Sequence, residues 1–274
     1  MKELTTEWLR ALIKLPAILA TILVGLILVT LIIPIAGWWG SSVQRKVRNT
    51  SVRTWSQMVC RIINLKINQK GIPTRQPALS ISNHISWIDI VALASQGDFV
   101  FIAKSEVQDW PLLGNLFKGT GTLFIQRGNP QSSEDAIKKM INHLASGVSL
   151  MLFPEATTTE GGVVRRFNSK LITPAIEAKS LIQPIAIRYE GSSKMTAPFI
   201  GSDAFVPHLW RVLTKQEIKI TLCFGAPIRA ASRNKGELTR DLHDQVSGLL
   251  GFTLSHERDT LLQNRHTPFT SLSH

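Results

Sequence analysis

Cysteine is scarce in this chain of 274 residues, and its two cysteines, Cys60 and Cys223, lie far apart. Neither belongs to a CxxC pair or a cluster with histidine, which excludes a zinc site of the usual spacing. They also give no disulfide framework, so a reducing compartment fits best. No G-x-S-x-G segment occurs, which excludes the nucleophile elbow of serine hydrolases. Gly119-x-Gly121 lacks a third glycine and precedes a predicted strand, which excludes a dinucleotide-binding loop.

Acidic residues are also few. The 19 Asp and Glu residues face 31 Lys and Arg residues, which gives a formal net charge of +12. A balance this basic indicates an anionic partner, such as a lipid surface, an acidic substrate or a nucleic acid. The basic residues are spread along the chain and do not alternate with stacking aromatic residues. We therefore expect no nucleic acid partner.

One long run carries no charge. It covers the 26 residues from Leu15 to Gly40, and a helix of about 20 apolar residues crosses a bilayer. The run is too long for the ~7–15-residue core of a signal peptide, so we predict a membrane-inserted segment. Trp38 and Trp39 lie at its end, where interfacial aromatic residues belong. Pro34 and Gly40 permit a bend, which leaves both a spanning helix and a re-entrant hairpin open.

Basic residues flank this run on both sides. Three precede it and four follow it: Lys2, Arg10, Lys14, Arg45, Lys46, Arg48 and Arg53. Because cytoplasmic flanks carry the excess of Lys and Arg, the slightly larger second group predicts that the rest of the chain faces the cytoplasm.

Beyond Lys70, short apolar runs alternate with helical patterns. Five runs bounded by Gly, Pro or polar residues are predicted as buried strands: Ala78–Ser82, Phe99–Ala103, Thr122–Gln126, Ser149–Phe153 and Ile182–Ile187. A sixth strand, Ile218–Phe224, precedes a helix predicted over about Gly236–Leu250. This alternation indicates an α/β fold, with a mostly parallel or mixed sheet flanked by helices, after the N-terminal hydrophobic membrane segment.

The clearest helix lies between the third and fourth predicted strands. Its apolar residues recur at helical spacing: Ile137, Met140, Ile141 and Leu144. Ser132 or Ser133 is a candidate N-cap, and Gly147 is a candidate end of the helix. We predict three parts in the chain: a membrane anchor with a basic flank at residues 1–60, an α/β domain at 61–254, and a polar tail at 255–274.

A histidine and a carboxylate follow the first predicted strand, in Ser82-Asn83-His84-Ile85-Ser86-Trp87-Ile88-Asp89. Such a pair is the minimal unit that takes a proton from an alcohol, because the carboxylate orients the imidazole and stabilises its protonated form. A substrate that brings its own hydroxyl then needs no catalytic serine. The same residues have a structural interpretation, because Ser86-x-x-Asp89 matches a helix capping box. The two interpretations are compatible, since a cap would hold Asp89 near His84.

Polar residues also follow the other predicted strands, where the active sites of such sheets lie. Lys104 follows the second strand and Arg127 the third, and both are able to hold an anion, although most such residues are simply solvated. The fourth strand runs into Pro154-Glu155 and a stretch of small polar residues. This pattern is typical of a loop that shapes a site, or of a plain surface loop.

Four segments, in order, resemble the sequence blocks of the glycerolipid acyltransferase family, whose bacterial members include the 1-acyl-glycerol-3-phosphate acyltransferases. The segments are Asn83-His84 with Asp89, Gly121–Phe124 with Ile125 and Arg127, Phe153-Pro154-Glu155, and Gln183-Pro184-Ile185-Ala186-Ile187. The first is similar to the family's H-x4-D catalytic pair, and the second to the block that helps to hold the polar head of the acceptor. The resemblance covers about Ala78 to Arg188, and Lys104-Ser105-Glu106 is also of the family's type.

The resemblance implies direct transfer of a fatty acyl group from an acyl thioester to the hydroxyl of a lysophospholipid. His84 would be the general base and Asp89 would orient it. The substrate-binding residues that it implies are Asn83, Lys104, Gly121, Arg127, Pro154, Glu155 and Thr157. Lys104 or loop backbone amides are candidates to stabilise the thioester oxygen.

The third segment departs from the family's commonest form, Phe-Pro-Glu-Gly-Thr-Arg. Ala156 stands in place of the glycine and Thr158 in place of the arginine. If that arginine binds the phosphate of the acceptor, either Arg165 or Arg166 replaces it here or the acceptor is another lysolipid. We expect 1-acyl-sn-glycerol-3-phosphate as the acceptor, giving phosphatidic acid, with a lyso-ornithine lipid as the alternative.

The donor implied is acyl-CoA or acylated acyl carrier protein, which serves as a co-substrate, and no metal or redox cofactor is implied. The expected partners are anionic membrane lipids, the lysolipid acceptor and the acyl donor. The expected location is the bacterial inner membrane, with the catalytic domain facing the cytoplasm. A non-catalytic lipid-binding membrane protein is the less favoured alternative.

Overall fold

Eight strands form one mixed sheet at the centre of the protein. The computed structural model describes residues 2–126, 128 and 130–251. The strands are β1 (Leu65–Lys70), β2 (Ala78–Ser82), β3 (Val100–Lys104), β4 (Leu123–Ile125), β5 (Leu150–Leu152), β6 (Leu181–Tyr189), β7 (Ile218–Phe224) and β8 (Ile228–Arg229). Their order is β1-β7-β6-β2-β5-β3-β4, and β8 pairs with β6. All neighbours are parallel except that β6 is antiparallel to β7 and β8.

Helices cover both faces of this sheet. They are α1 (Lys2–Ile27), α2 (Ile33–Ala36), α3 (Ser41–Ile62), α4 (Trp87–Gln96), α5 (Leu113–Gly119), α6 (Pro130–Ala145), α7 (Thr173–Glu177), α8 (Ser193–Thr196), α9 (Phe205–Thr214) and α10 (Lys235–Leu250). One core packs residues of α1, α3, α4 and α9 against the sheet, and the other packs α6, α7 and α10. The central strand β2 is buried along its whole length, as expected for a parallel strand covered on both faces.

The structure confirms the α/β fold class, and each predicted strand is present within two residues of its expected ends. The prediction for α6 was wrong at its start: the helix begins at Pro130, so Ser132 lies inside its first turn and accepts a hydrogen bond from the Gln126 N–H. Strand β1 was not predicted, because its exposed, polar sequence lacks the apolar density of the inner strands. The predicted tail, 255–274, lies outside the described residues.

The N-terminal apolar run forms a helical hairpin with α3. The chain continues from α1 through a π-helical stretch at Leu28–Ile32 and then α2, and turns at Gly40, whose φ of 109° favours glycine. The two arms are antiparallel, because the Trp55 indole N–H donates to Thr21 O (2.7 Å) and the Gln44 amide to Ile33 O (3.3 Å). Gly40 therefore bends the chain as expected.

The base of the hairpin is fixed to the rest of the protein. The Lys14 ammonium donates to Lys215 O at 2.7 Å, and Lys215 pairs with Glu7 at 2.9 Å. At the other end, Trp38 and Trp39 are 84% and 69% exposed. Among the described residues, one helical stretch, Thr6–Trp39, is long and apolar enough to cross a membrane.

Candidate active site

The carboxyl ends of parallel strands β2, β5 and β3 meet at one edge of the sheet. His84 follows β2, Phe153 follows β5, and Lys104 ends β3. This placement brings residues from the ends of three separate strands into one region. It is the edge at which open α/β sheets bind their ligands.

Asp89 lies directly beside His84. Its Oδ2 is 2.9 Å from His84 Nδ1 and also accepts hydrogen bonds from the backbone N–H groups of Ile85 (2.7 Å) and Ser86 (2.8 Å). Ser86 is the N-cap of α4, and Asp89 completes the capping box from the first turn. The cap and the His–Asp pair therefore coexist, because one rigid turn serves both.

The hydrogen-bond partners of His84 decide which ring nitrogen is free. Since ionised Asp89 only accepts hydrogen bonds, Nδ1 carries the proton that lies between them and Nε2 keeps its lone pair. The ring stacks on Phe153, with centroids 3.9 Å apart and planes inclined by 12°. The side chain is 17% exposed and faces a cavity. This arrangement is suited to accepting a proton from a hydroxyl group at Nε2.

The loop after β5 holds the backbone of His84 from both sides. Glu155 Oε1 accepts the His84 N–H at 3.0 Å, and the Thr159 N–H donates to His84 O at 2.8 Å. The second carboxylate oxygen of Glu155 accepts the Arg165 N–H at 2.9 Å. Burial raises the pKa of Glu155, and these backbone hydrogen bonds oppose that effect. Ala156, which lies between Glu155 and Thr159 in this loop, has a φ of 59°, a conformation that favours glycine.

An apolar cavity of about 560 Å³ opens at His84. Its walls come largely from the hairpin and from α4 and α5, and include Ile18, Leu28, Val29, Trp55, Leu116 and Phe117. Its polar lining, apart from His84, includes Lys104, Glu106, Thr157 and Thr158. A cavity that is apolar along most of its length and polar beside a base fits a molecule with an alkyl chain and a polar head.

Some of the predicted substrate-binding residues line the cavity, and others do not. Lys104 and Thr157 line it. Asn83 is buried and does not, because its side chain accepts the Ile187 N–H (2.8 Å) and donates to Ile187 O (2.9 Å). Pro154 is also buried, and its carbonyl accepts the Asn168 N–H.

Two further residues belong to the segment that resembles the second block. Gly121 has a φ of 83°, and a Cβ there would come within 2.9 Å of Arg48 Nη1 on α3. Glycine thus lets the Arg48 guanidinium lie against the backbone, next to Thr120 and Thr122, which line the cavity. Arg127 lies outside the described residues.

Sequence reasoning missed three features of the site. Phe153 was noted for its position but not as the surface on which His84 stacks. The Tyr189 hydroxyl donates to Asp89 Oδ1 at 2.7 Å. Arg48 was interpreted only as part of the basic flank. The one available signal concerned Tyr189, because a polar residue at the end of a buried strand parallel to β2 is expected at the same sheet edge.

The chain has detectable relatives. A family model described as Acyltransferase matches residues 65–188. The lyso-ornithine lipid O-acyltransferase of Pseudomonas aeruginosa is 35% identical over 202 residues, which cover 73% of this chain and 78% of that protein. The 1-acyl-sn-glycerol-3-phosphate acyltransferase of Neisseria gonorrhoeae is 31% identical over 164 residues, which cover 59% of this chain and 64% of that protein.

A solved structure shares the fold. It is the crystal structure of the 1-acyl-sn-glycerophosphate acyltransferase PlsC from Thermotoga maritima, with a TM-score of 0.64 at 18% identity. The similarity covers 88% of this chain and 96% of that one. The fold described above thus belongs to a known architecture.

Proposed function

Since the chain belongs to the Acyltransferase family, we propose that it transfers a fatty acyl group from an acyl thioester to the hydroxyl of a lyso-ornithine lipid. The chain is an O-acyltransferase that acts on a lysolipid; the identity of that lysolipid and of the donor is the proposal. The observation that carries it is the His84–Asp89 pair, whose free Nε2 opens on an apolar cavity.

In the proposed reaction, His84 Nε2 takes the proton of the acceptor hydroxyl. The hydroxyl oxygen bonds to the thioester carbonyl carbon, the carbon–sulfur bond breaks, and His84 returns its proton to the departing thiolate. Asp89 stabilises the protonated imidazole in between, and general base catalysis of this kind contributes on the order of 10²–10⁴ in rate. Lys104 or loop amides would stabilise the carbonyl oxygen. Because the nucleophile is the acceptor's own hydroxyl, the scheme requires no metal or redox cofactor.

The charges at the cavity support a zwitterionic head group. An ornithine lipid head carries one carboxylate and one ammonium group, whereas a phosphomonoester carries up to two negative charges. Of the described residues that line the cavity, Lys104 and Glu106 are the Lys/Arg and Asp/Glu members, one of each sign. The hydroxyl of Thr158 donates to Phe199 O, and Arg165 and Arg166 are exposed and absent from the lining.

The second candidate acceptor is 1-acyl-sn-glycerol-3-phosphate. The similarity to the Neisseria protein supports it. The P. aeruginosa relative covers more of the chain at higher identity, which favours the ornithine acceptor.

The acceptor is tested with the purified chain in lipid bilayers. Acyl-CoA and acylated acyl carrier protein, each labelled in the acyl group, serve as donors in separate arms, each with a lyso-ornithine lipid or 1-acyl-sn-glycerol-3-phosphate. We expect label in ornithine lipid. Label in phosphatidic acid alone would contradict the proposed acceptor and support 1-acyl-sn-glycerol-3-phosphate instead. Thr158→Arg adds a cation and is expected to raise use of the phosphate acceptor. Thr158→Val is its matched control, since it removes the hydroxyl without adding charge.

We further infer that the hairpin inserts into one leaflet of an anionic membrane, which we propose is the bacterial inner membrane from its cytoplasmic side. Its N-terminal end is joined to the catalytic domain through Lys14 and Lys215, so a single pass across the bilayer would place Lys14 on the wrong side. The second arm, α3, carries Arg45 and Lys46 on exposed positions, which suits an interface with anionic lipid head groups.

A further inference from the structure

Tyr189 is the single tyrosine of the chain and lies beside the His84–Asp89 pair. It ends β6, which is parallel to β2 and runs past the end of that strand to the sheet edge where His84 lies. Its hydroxyl donates to Asp89 Oδ1 at 2.7 Å, the oxygen that faces away from His84. Tyr189 is 3% exposed and Asp89 fully buried, so this bond is screened from solvent.

We propose that Tyr189 is a positioning residue for acyl transfer. Its hydroxyl fixes the Asp89 carboxylate and draws negative charge away from it, so the carboxylate attracts the Nδ1 proton of His84 less strongly. The inference rests on the proposed function, in which His84 accepts the proton of the acceptor hydroxyl. Tyr189 is not among the described residues that line the cavity at His84, and it acts through Asp89.

The division of hydrogen bonds on Asp89 carries the argument. Three N–H groups share Oδ2, and among the described residues Tyr189 is the donor to Oδ1. Each donor draws negative charge away from the carboxylate. Without the phenol, more charge remains to attract the Nδ1 proton, so the imidazole is more basic. Compared with a variant that lacks the phenol, the wild type should therefore favour the neutral imidazole, which is the form that acts as a base.

The Tyr189 hydroxyl keeps its proton and therefore remains a hydrogen-bond donor to Asp89. Burial, and then the charge of Asp89, raise the pKa of Tyr189 well above its usual range, so the phenol keeps its proton. Burial raises the pKa of the Cys60 thiol on α3 to about 11, so that group is neutral. Glu155 contacts the backbone of His84, and Lys104 and Glu106 line the same cavity as the His84 ring.

The first test is Tyr189→Phe, which keeps the ring and removes the hydroxyl. We expect the acidic midpoint of the kcat–pH profile to move up by about 0.5–1 pH unit, because one charge-assisted hydrogen bond is lost. The KM for the acyl donor should stay unchanged. Thr221→Val on β7 is the matched control: it removes a buried hydroxyl that bonds Glu190 and leaves Asp89 alone. It should lower stability without moving the midpoint.

The single tyrosine permits a test in the opposite direction. Biosynthetic replacement of tyrosine by a ring-fluorinated tyrosine changes one site in the whole chain and makes the phenol a stronger donor. The acidic midpoint should then move below that of the wild type. The order phenylalanine, tyrosine, fluorotyrosine should therefore match a falling midpoint, which a purely structural tyrosine would not produce.

Titration of the His84 imidazole by NMR separates this inference from the proposed function. The His84 signal is assigned by its loss in His84→Gln, and its midpoint should be higher in Tyr189→Phe than in the wild type. If the wild type transfers no acyl group, the proposed function fails, and this titration alone decides the role of Tyr189. Equal midpoints for the wild type and Tyr189→Phe, in the titration or in the rate profile, overturn the inference.

Discussion

Replacement of Asp89 by asparagine isolates the charge of the carboxylate from its geometry. In Asp89→Asn the amide oxygen at the Oδ2 position keeps the N–H groups of His84, Ile85 and Ser86, and the amide NH₂ at the Oδ1 position donates to the Tyr189 oxygen after the phenol turns. The three hydrogen bonds to the Oδ2 position thus survive and the His84 tautomer is retained, whereas the buried phenol O–H loses its acceptor. The free energy of unfolding of the variant should therefore be lower than that of the wild type by about 1–3 kcal/mol.

The expected loss of activity follows from the 2.9 Å separation of His84 and Asp89. Two unit charges at this distance, with an effective dielectric constant of ~20, attract by roughly 6 kcal/mol. His84 is 17% exposed, so solvent and the retained hydrogen bond recover part of this energy. We expect a loss of about 3–4 kcal/mol in transition-state stabilisation, which lowers kcat by on the order of 10²–10³.

The assay is kcat at saturating donor and acceptor, with thermal unfolding measured on the same samples. Asp98→Asn is the matched control, because it removes the carboxylate charge from a half-exposed pair with Arg53 and should leave kcat unchanged. Asp89→Ala should instead unfold easily, since it leaves several buried donors without partners. A kcat for Asp89→Asn within about threefold of the wild type would refute the charge argument.

Three further predictions concern the loop after β5, the core and the hairpin. Ala156→Gly should raise the unfolding free energy by about 0.5–1 kcal/mol in urea titrations, because φ is 59° at this position; a destabilised variant would contradict this. Burial lowers the pKa of His208 from 6.5, so the neutral form is favoured in the fold, and thermal stability should fall as pH decreases below 6.5. His208→Gln should reduce this loss of thermal stability at low pH, and an equally large loss in the variant would show that His208 does not cause it. Replacing Trp38 and Trp39 by serine should reduce sedimentation with anionic liposomes by roughly tenfold or more, whereas Ile72→Ser, an exposed control away from the hairpin, should not; unchanged sedimentation would argue against insertion of the tip.

The inner strands and the His84–Asp89 turn were predictable because their signals are local. Apolar density identifies β2 and its neighbours, and the spacing of Ser86 and Asp89 identifies the cap. Since His84 and Asp89 belong to one capped turn, their proximity could be predicted without long-range information.

The other contacts depend on pairing between distant segments. Tyr189 reaches Asp89 only because β6 lies next to β2, and Arg48 reaches Gly121 only because the hairpin folds back at Gly40. The sequence signal for Tyr189 concerns only its place at the end of a buried strand, not its partner, and Arg48 has no such signal. The exposed edge strand β1 was missed for a related reason, since its parallel pairing with β7 leaves most of its side chains in solvent and removes the apolar pattern.

The most direct test of the central claim is acyl transfer by His84→Ala in bilayers supplied with a labelled acyl thioester and a lyso-ornithine lipid. If His84 is the general base, transfer should fall by on the order of 10²–10⁴ or more, while folding and liposome binding match the wild type. Transfer at the wild-type rate by a folded, membrane-bound His84→Ala protein would contradict the account.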